Sequence, residues 1–82
     1  MKTQEDVFLT LKQIMSEMFE LADEDIVLSA NLRQDLDIDS IDAVDLMVRL
    51  RDITGKRINH EDFKNARTIQ DVVEIVHRIS IS

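Results

Sequence analysis

Apolar residues recur at helical spacing in three stretches of this chain, and almost nothing in the sequence can interrupt them. Val7, Leu11, Ile14 and Met18 step by four, three and four residues, with Phe8, Met15 and Phe19 beside them. That spacing marks one face of an α-helix of roughly four turns, from about Gln4 to Phe19. Proline is absent and Gly55 is the only glycine, so strand-turn signals are too sparse for an all-β fold. A length of 82 residues admits one small domain, 1–82. Such a domain buries only about 60–65% of its unfolded surface, which leaves little room for a deep catalytic cleft and the shell to support it.

The remaining segments complete an all-α reading. Residues 22–39 show no sustained period; Asp23, Ser29 and Asn31 are turn formers, while Ile26, Leu28, Leu32 and Leu36 have the character of core anchors. This reads as a long ordered loop, and loops of that length in compact domains are often functional. A second helix is expected over about 40–53, ended by Gly55 as a left-handed cap. Asn59 then caps a short helix near 60–65 that carries Phe63, and Thr68 with Asp71 has the spacing of a capping box. The last helix, about 68–80, aligns Ile69, Val72, Val73, Val76 and Ile79 in one stripe. Three longer helices and one short one make a small four-helix bundle.

The second helix carries two apolar stripes where a surface helix needs one. At about 100° per residue, Ala43, Leu46, Met47, Leu50 and Ile53 fall on one side, and Ile41, Val44 and Val48 on roughly the other. The broader stripe is the core face. The narrower one lies among Asp42, Asp45 and Asp52, with Arg49 close by. Apolar residues rimmed by charge have the composition of a recognition surface; the plainer alternative is that they pack under the long loop.

At the start of this helix stands Ser40, in the run Asp35-Leu36-Asp37-Ile38-Asp39-Ser40-Ile41-Asp42. A hydroxyl in a first helical turn is exposed, and the free N–H groups and helix dipole there favour negative charge. The position suits a phosphodiester better than a nucleophile, since no base adjoins it. The Gly-x-Ser-x-Gly elbow of serine hydrolases is missing, and His60 and His77, the two histidines, lie far along the chain. A calcium loop also fails: counted from Asp37, the sixth position is Asp42 rather than glycine and the twelfth is Val48 rather than glutamate. No metal site is expected.

Charge and composition narrow the partners. Seventeen acidic against 10 basic residues give a net charge of -7, which disfavours nucleic acid and anionic membrane surfaces and favours partners with basic patches. No apolar run approaches a membrane span. The N-terminal residues do not form a secretory signal and cysteine is absent, so a cytoplasmic protein is expected.

The segment Leu36-Asp37-Ile38-Asp39-Ser40-Ile41-Asp42-Ala43-Val44-Asp45-Leu46 resembles the prosthetic-group attachment motif of acyl carrier proteins. The likeness extends over nearly the whole chain, through the long first loop, Ile58, and the Thr68-Ile69-Gln70-Asp71-Val72 start of the last helix. The resemblance implies a non-enzymatic carrier. It implies that Ser40 is esterified by 4'-phosphopantetheine, delivered from coenzyme A by a phosphopantetheinyl transferase, and that the arm's thiol holds acyl groups as thioesters. It makes Asp39, Ile41, Asp42, Val44, Asp45, Val48 and Asp52 the partner-docking residues and puts Met47, Leu50, Ile58 and Ala66 near an acyl pocket. Implied partners of the monomer are acyl-loading and ketosynthase-type enzymes of fatty-acid or polyketide synthesis, with basic docking patches.

Four residues depart from the family pattern. Asp37 stands where glycine is usual, Arg51 replaces an acidic residue, Arg49 adds positive charge, and Thr54 replaces a large apolar side chain. They point to a partner set of its own, of the polyketide or aryl-polyene kind. An aminoacyl or peptidyl carrier and an unmodified helical adaptor are the alternatives.

Overall fold

The computed structural model describes residues 3–81. Four helices follow one another: α1 (Gln4–Phe19), α2 (Ser40–Thr54), α3 (His60–Lys64) and α4 (Ile69–Ile81). Each boundary lies within one residue of its expected place. The exception in kind is a single 3-10 turn, Asp23–Asp25, inside the long loop.

Local chemistry sets the ends. Thr3 opens α1 by accepting the Asp6 N–H, and the Asp6 side chain accepts the Thr3 N–H in return. This capping box follows the Thr-x-x-Asp spacing. Asn59 caps α3 through the Glu61 N–H, and Gly55 ends α2 with φ 67° as a left-handed cap. Thr68 and Asp71 bond reciprocally at the start of α4. The Asp71 carboxylate also accepts the Arg67 N–H at 2.9 Å. That bond, and those from Thr68, hold its pKa below the usual aspartate value against a smaller opposing effect of burial.

The core runs between α1 and α4, which pack most closely. Val7, Leu11 and Met15 of α1 meet Ile69, Val72, Val73 and Val76 of α4 in one buried cluster. From α2, Leu46 and Leu50 join it. Two expected core residues do not: Ile53 and Leu28 are each 43% exposed. Ile53 lies in the last turn of α2, beside the exposed Gly55–Arg57 segment. Leu28 anchors its loop by main chain instead of side chain, its carbonyl accepting the Gln70 N–H at 3.0 Å.

That main-chain contact is part of a short ladder no apolar pattern could announce. Asn31 and Thr68 form an antiparallel bridge. On either side of it, Leu32 N–H donates to the Arg67 carbonyl at 2.9 Å and Ile69 N–H to the Ala30 carbonyl at 3.0 Å. The Asn31 side chain accepts the Arg33 and Gln34 N–H groups, and its own N–H donates to the Asp35 carboxylate at 2.7 Å. The loop is therefore a fixed strap across the start of α4. Ile26, Ala30, Leu32, Leu36 and Ile38 bury their side chains beneath it.

Candidate functional site

The strap positions Ser40. Ile38 N–H donates to the Leu32 carbonyl at 2.8 Å, and Leu32 is itself tied to Arg67. A line of main-chain bonds thus runs from the start of α4 to two residues before the serine. Between them Asp37 turns the chain with φ 55°, the left-handed region that an L-residue other than Asn or Asp enters with difficulty. An aspartate at the position expected to hold glycine therefore makes the same turn that glycine would.

Asp39 caps α2, its carboxylate accepting the Ile41 N–H at 3.0 Å and the Asp42 N–H at 2.9 Å. The Ala43 N–H bonds to the Asp39 carbonyl. This corrects one expectation: the first-turn N–H groups after Ser40 are already engaged by Asp39 and are not open to an anion. Ser40 is the first helical residue and is exposed. Among the described residues neither its hydroxyl nor its N–H has a hydrogen-bond partner. The hydroxyl is thus accessible and unengaged, as a covalent attachment point requires.

Two surfaces flank the serine. On α2, Ile41, Val44 and Val48 are 72%, 41% and 43% exposed, a row at i, i+3 and i+7 that leaves apolar carbon in water. Asp45 and Asp52 are exposed beside it and Asp42 is half-buried. Arg49 and Arg51 are exposed on the same helix. The narrower apolar stripe is therefore not packed under the loop.

The other surface is a groove of about 540 Å³ whose lining includes Ser40 itself. Its apolar lining is Leu32, Ile38, Ala43, Met47, Phe63 and Ala66 with Val44, which it shares with the exposed α2 row, and its exposed cationic and imidazole side chains are Arg33, Lys64, Arg67 and His60. The volume is within the usual range of small-molecule pockets, about 300–1,000 Å³. Of the four residues expected around an acyl pocket, Met47 and Ala66 line this groove. Leu50 and Ile58 do not; they are buried, at 1% and 7% exposure, in the central cluster. The strap's contribution, Leu32 and Ile38, is invisible to helical periodicity because it depends on the ladder to α4.

Comparison with known proteins agrees with this geometry. Residues 10–76 match the family model described as a phosphopantetheine attachment site. The chain is 38% identical over 77 residues to acyl carrier protein 2 of Ralstonia nicotianae, covering 94% of this chain and 95% of that one. It is 32% identical over 72 residues to an acyl carrier protein of Coprothermobacter proteolyticus, covering 88% of each. Its fold matches the acyl carrier protein of Enterococcus faecalis with a TM-score of 0.77 at 26% identity, over 94% of this chain and 98% of that one. The helical bundle, the strap that presents an unengaged serine and the matched attachment-site model converge: this chain belongs to the acyl carrier proteins, non-enzymatic carriers that bear a phosphopantetheine attachment site.

Proposed function

We propose that Ser40 is the attachment residue and that this protein carries acyl groups as thioesters on a 4'-phosphopantetheine arm. The observation that carries the reading is the unengaged, exposed Ser40 hydroxyl at the mouth of an apolar groove. The residues present fit the group: the hydroxyl is free to form a phosphodiester, and the groove adjoins it. Ser40 Oγ forms a bond to the phosphorus that bears the pantetheine half of coenzyme A. The pyrophosphate bond breaks, 3',5'-ADP leaves, and the serine proton passes to a base on the transferase. The arm, when bound, supplies the thiol that this cysteine-free chain lacks.

The α2 face is the docking surface in this reading. Ile41, Val44 and Val48 supply apolar contact, and Asp42, Asp45 and Asp52 steer partners with basic patches. Asp39 has a second task there, since its carboxylate is held by the helix cap. Exposed charges are screened over about 8–10 Å at ordinary ionic strength, so docking weakens with salt and releases quickly. Arg49 and Arg51 add exposed cations toward the C-terminal end of α2. They favour partners whose patches are mixed in sign, as in a specialised pathway of the polyketide or aryl-polyene kind. The monomer works in the cytoplasm. No helix among the described residues is long and apolar enough to cross a membrane.

Incubation with coenzyme A and a broad-specificity phosphopantetheinyl transferase tests the attachment. Intact-mass spectrometry is expected to show a gain of about 340 Da, absent in Ser40→Ala. No gain in the wild type would favour an unmodified helical adaptor, and a gain surviving in Ser40→Ala would move the attachment elsewhere.

A further inference from the structure

The groove beside Ser40 has a charge balance opposite to that of the whole chain. The sequence carries 17 acidic and 10 basic residues, yet the groove is lined by Arg33, Lys64 and Arg67 against a single carboxylate, Asp39. That carboxylate is turned into the α2 cap, on the Ile41 and Asp42 N–H groups. Among the described residues the Arg33 and Lys64 side chains have no ion-pair or hydrogen-bond partner. Arg67 lies close enough to Asp71 to help lower its pKa, so its charge is partly shared.

From this arrangement we infer that the groove favours acyl cargo whose far end bears a carboxylate. The inference rests on Ser40 carrying the arm. The groove's apolar wall suits a methylene chain, which by itself would bring no counter-charge to Arg33 and Lys64 and none beyond Asp71 to Arg67. None of the three stands on α2: Arg33 belongs to the strap, Lys64 to α3, and Arg67 to the link before α4. A phosphate esterified to Ser40 would have Asp37, Asp39 and Asp42 as its chain neighbours, which disfavour a further negative charge there. A carboxylate at the far end of the cargo, laid along the groove by the arm, would bring these cations an anion in less acidic surroundings. Each exposed cation in water contributes a factor of a few at most. Three lining the same groove beside an apolar wall raise the potential there together.

Two thioesters test this: octanoyl and its terminal carboxy counterpart, suberoyl, each loaded from the coenzyme A form by the transferase. Intact mass verifies loading, and its failure would count against the Ser40 attachment rather than against cargo preference. Cleavage by neutral hydroxylamine then reports how well each thioester is sheltered. In the triple variant Arg33→Gln, Lys64→Gln, Arg67→Gln, suberoyl cleavage is expected to accelerate about 3- to 10-fold and octanoyl cleavage less than about twofold. Arg78→Gln, a cation outside the groove, is expected to change neither. Raising salt to about 0.5 M on the unaltered protein should reproduce the selective loss, which keeps the test independent of how well the variant folds. Equal acceleration of both cargoes would assign the cations to the arm's phosphate, and no acceleration of suberoyl would leave them without a cargo role; either overturns the inference.

Discussion

Helices α4 and α2 are close in length and opposite in use. On α4, Ile69, Val72, Val73, Ile75 and Val76 are all buried, and the helix packs tightly on α1. On α2, only Leu46 and Leu50 are buried, while Ile41, Val44, Val48 and Ile53 stay in water. Its backbone approaches the other helices at few points. The bundle therefore gains its stability chiefly along α1 and α4 and holds α2 by Leu46 and Leu50, with Ala43 and Met47 partly buried beside them. The proposed function needs that division: a face meant for successive partners must be free of structural duty, and the serine at its start must still be fixed in space.

The sharpest test of the division sets a core truncation against a docking-face truncation. Leu11→Ala removes a fully buried side chain and is expected to destabilise the bundle by about 2–5 kcal/mol. Ile41→Ala removes a similar number of atoms from an exposed one and should stay within about 0.5 kcal/mol. Urea denaturation of the two variants measures the difference; comparable losses would mean that α2 is part of the load-carrying core after all.

A smaller effect is expected where the strap meets α4. Asp71→Asn keeps the shape of the capping residue but removes the charge that accepts the Arg67 and Thr68 N–H groups. The expected loss is about 0.5–1 kcal/mol at neutral pH. Its pH dependence has a definite sign. The folded-state pKa of Asp71 is lowered, so its contribution is fully present above the unfolded value near 4 and disappears as pH falls through the lower folded value. The gap between wild type and Asp71→Asn should be constant above about pH 5 and close on acidification below 4. A gap that persists at low pH would assign the effect to packing.

The smallest expected change concerns Asp37. Its left-handed φ of 55° is tolerated by aspartate and natural for glycine. Asp37→Gly should relieve backbone strain and remove one negative charge near Ser40, while making the unfolded chain more flexible. The net gain is expected near 0.5 kcal/mol, roughly, read as a small rise in melting temperature with phosphopantetheinylation intact. A loss of stability would show that the Asp37 side chain itself holds the strap.

Much of this architecture is legible without coordinates because it is local. Thr68 with Asp71, Asn59 with Glu61 and Gly55 mark helix ends through bonds to residues no more than four positions away, and the stripe of α4 follows from its period. The second stripe of α2 was legible for the same reason: Ile41, Val44 and Val48 could not share a face with Leu46 and Leu50. The strap was not legible in this way. Its anchors join residues 28–32 to 67–70, and main-chain bonds across that separation leave no mark on side-chain pattern. For the same reason Leu28 passes for a core residue in the sequence and is exposed in the structure, while Ala30 and Ile38 prove to be buried.

The sequence by itself determined the helices, their caps, the acidic character of the chain and a serine at the first turn of α2, because periodicity and capping act within a few residues. Only the tertiary structure decided what surrounds that serine. The ladder to α4 draws Leu32, Ile38 and Arg33 against α2 and α3, closing a groove whose cations come from three separated segments. It also brings the Ser40 hydroxyl, left unengaged by the local Asp39 cap, to the edge of that groove. Those outcomes depend on contacts between distant parts of the chain, and such contacts exist only once the bundle has closed.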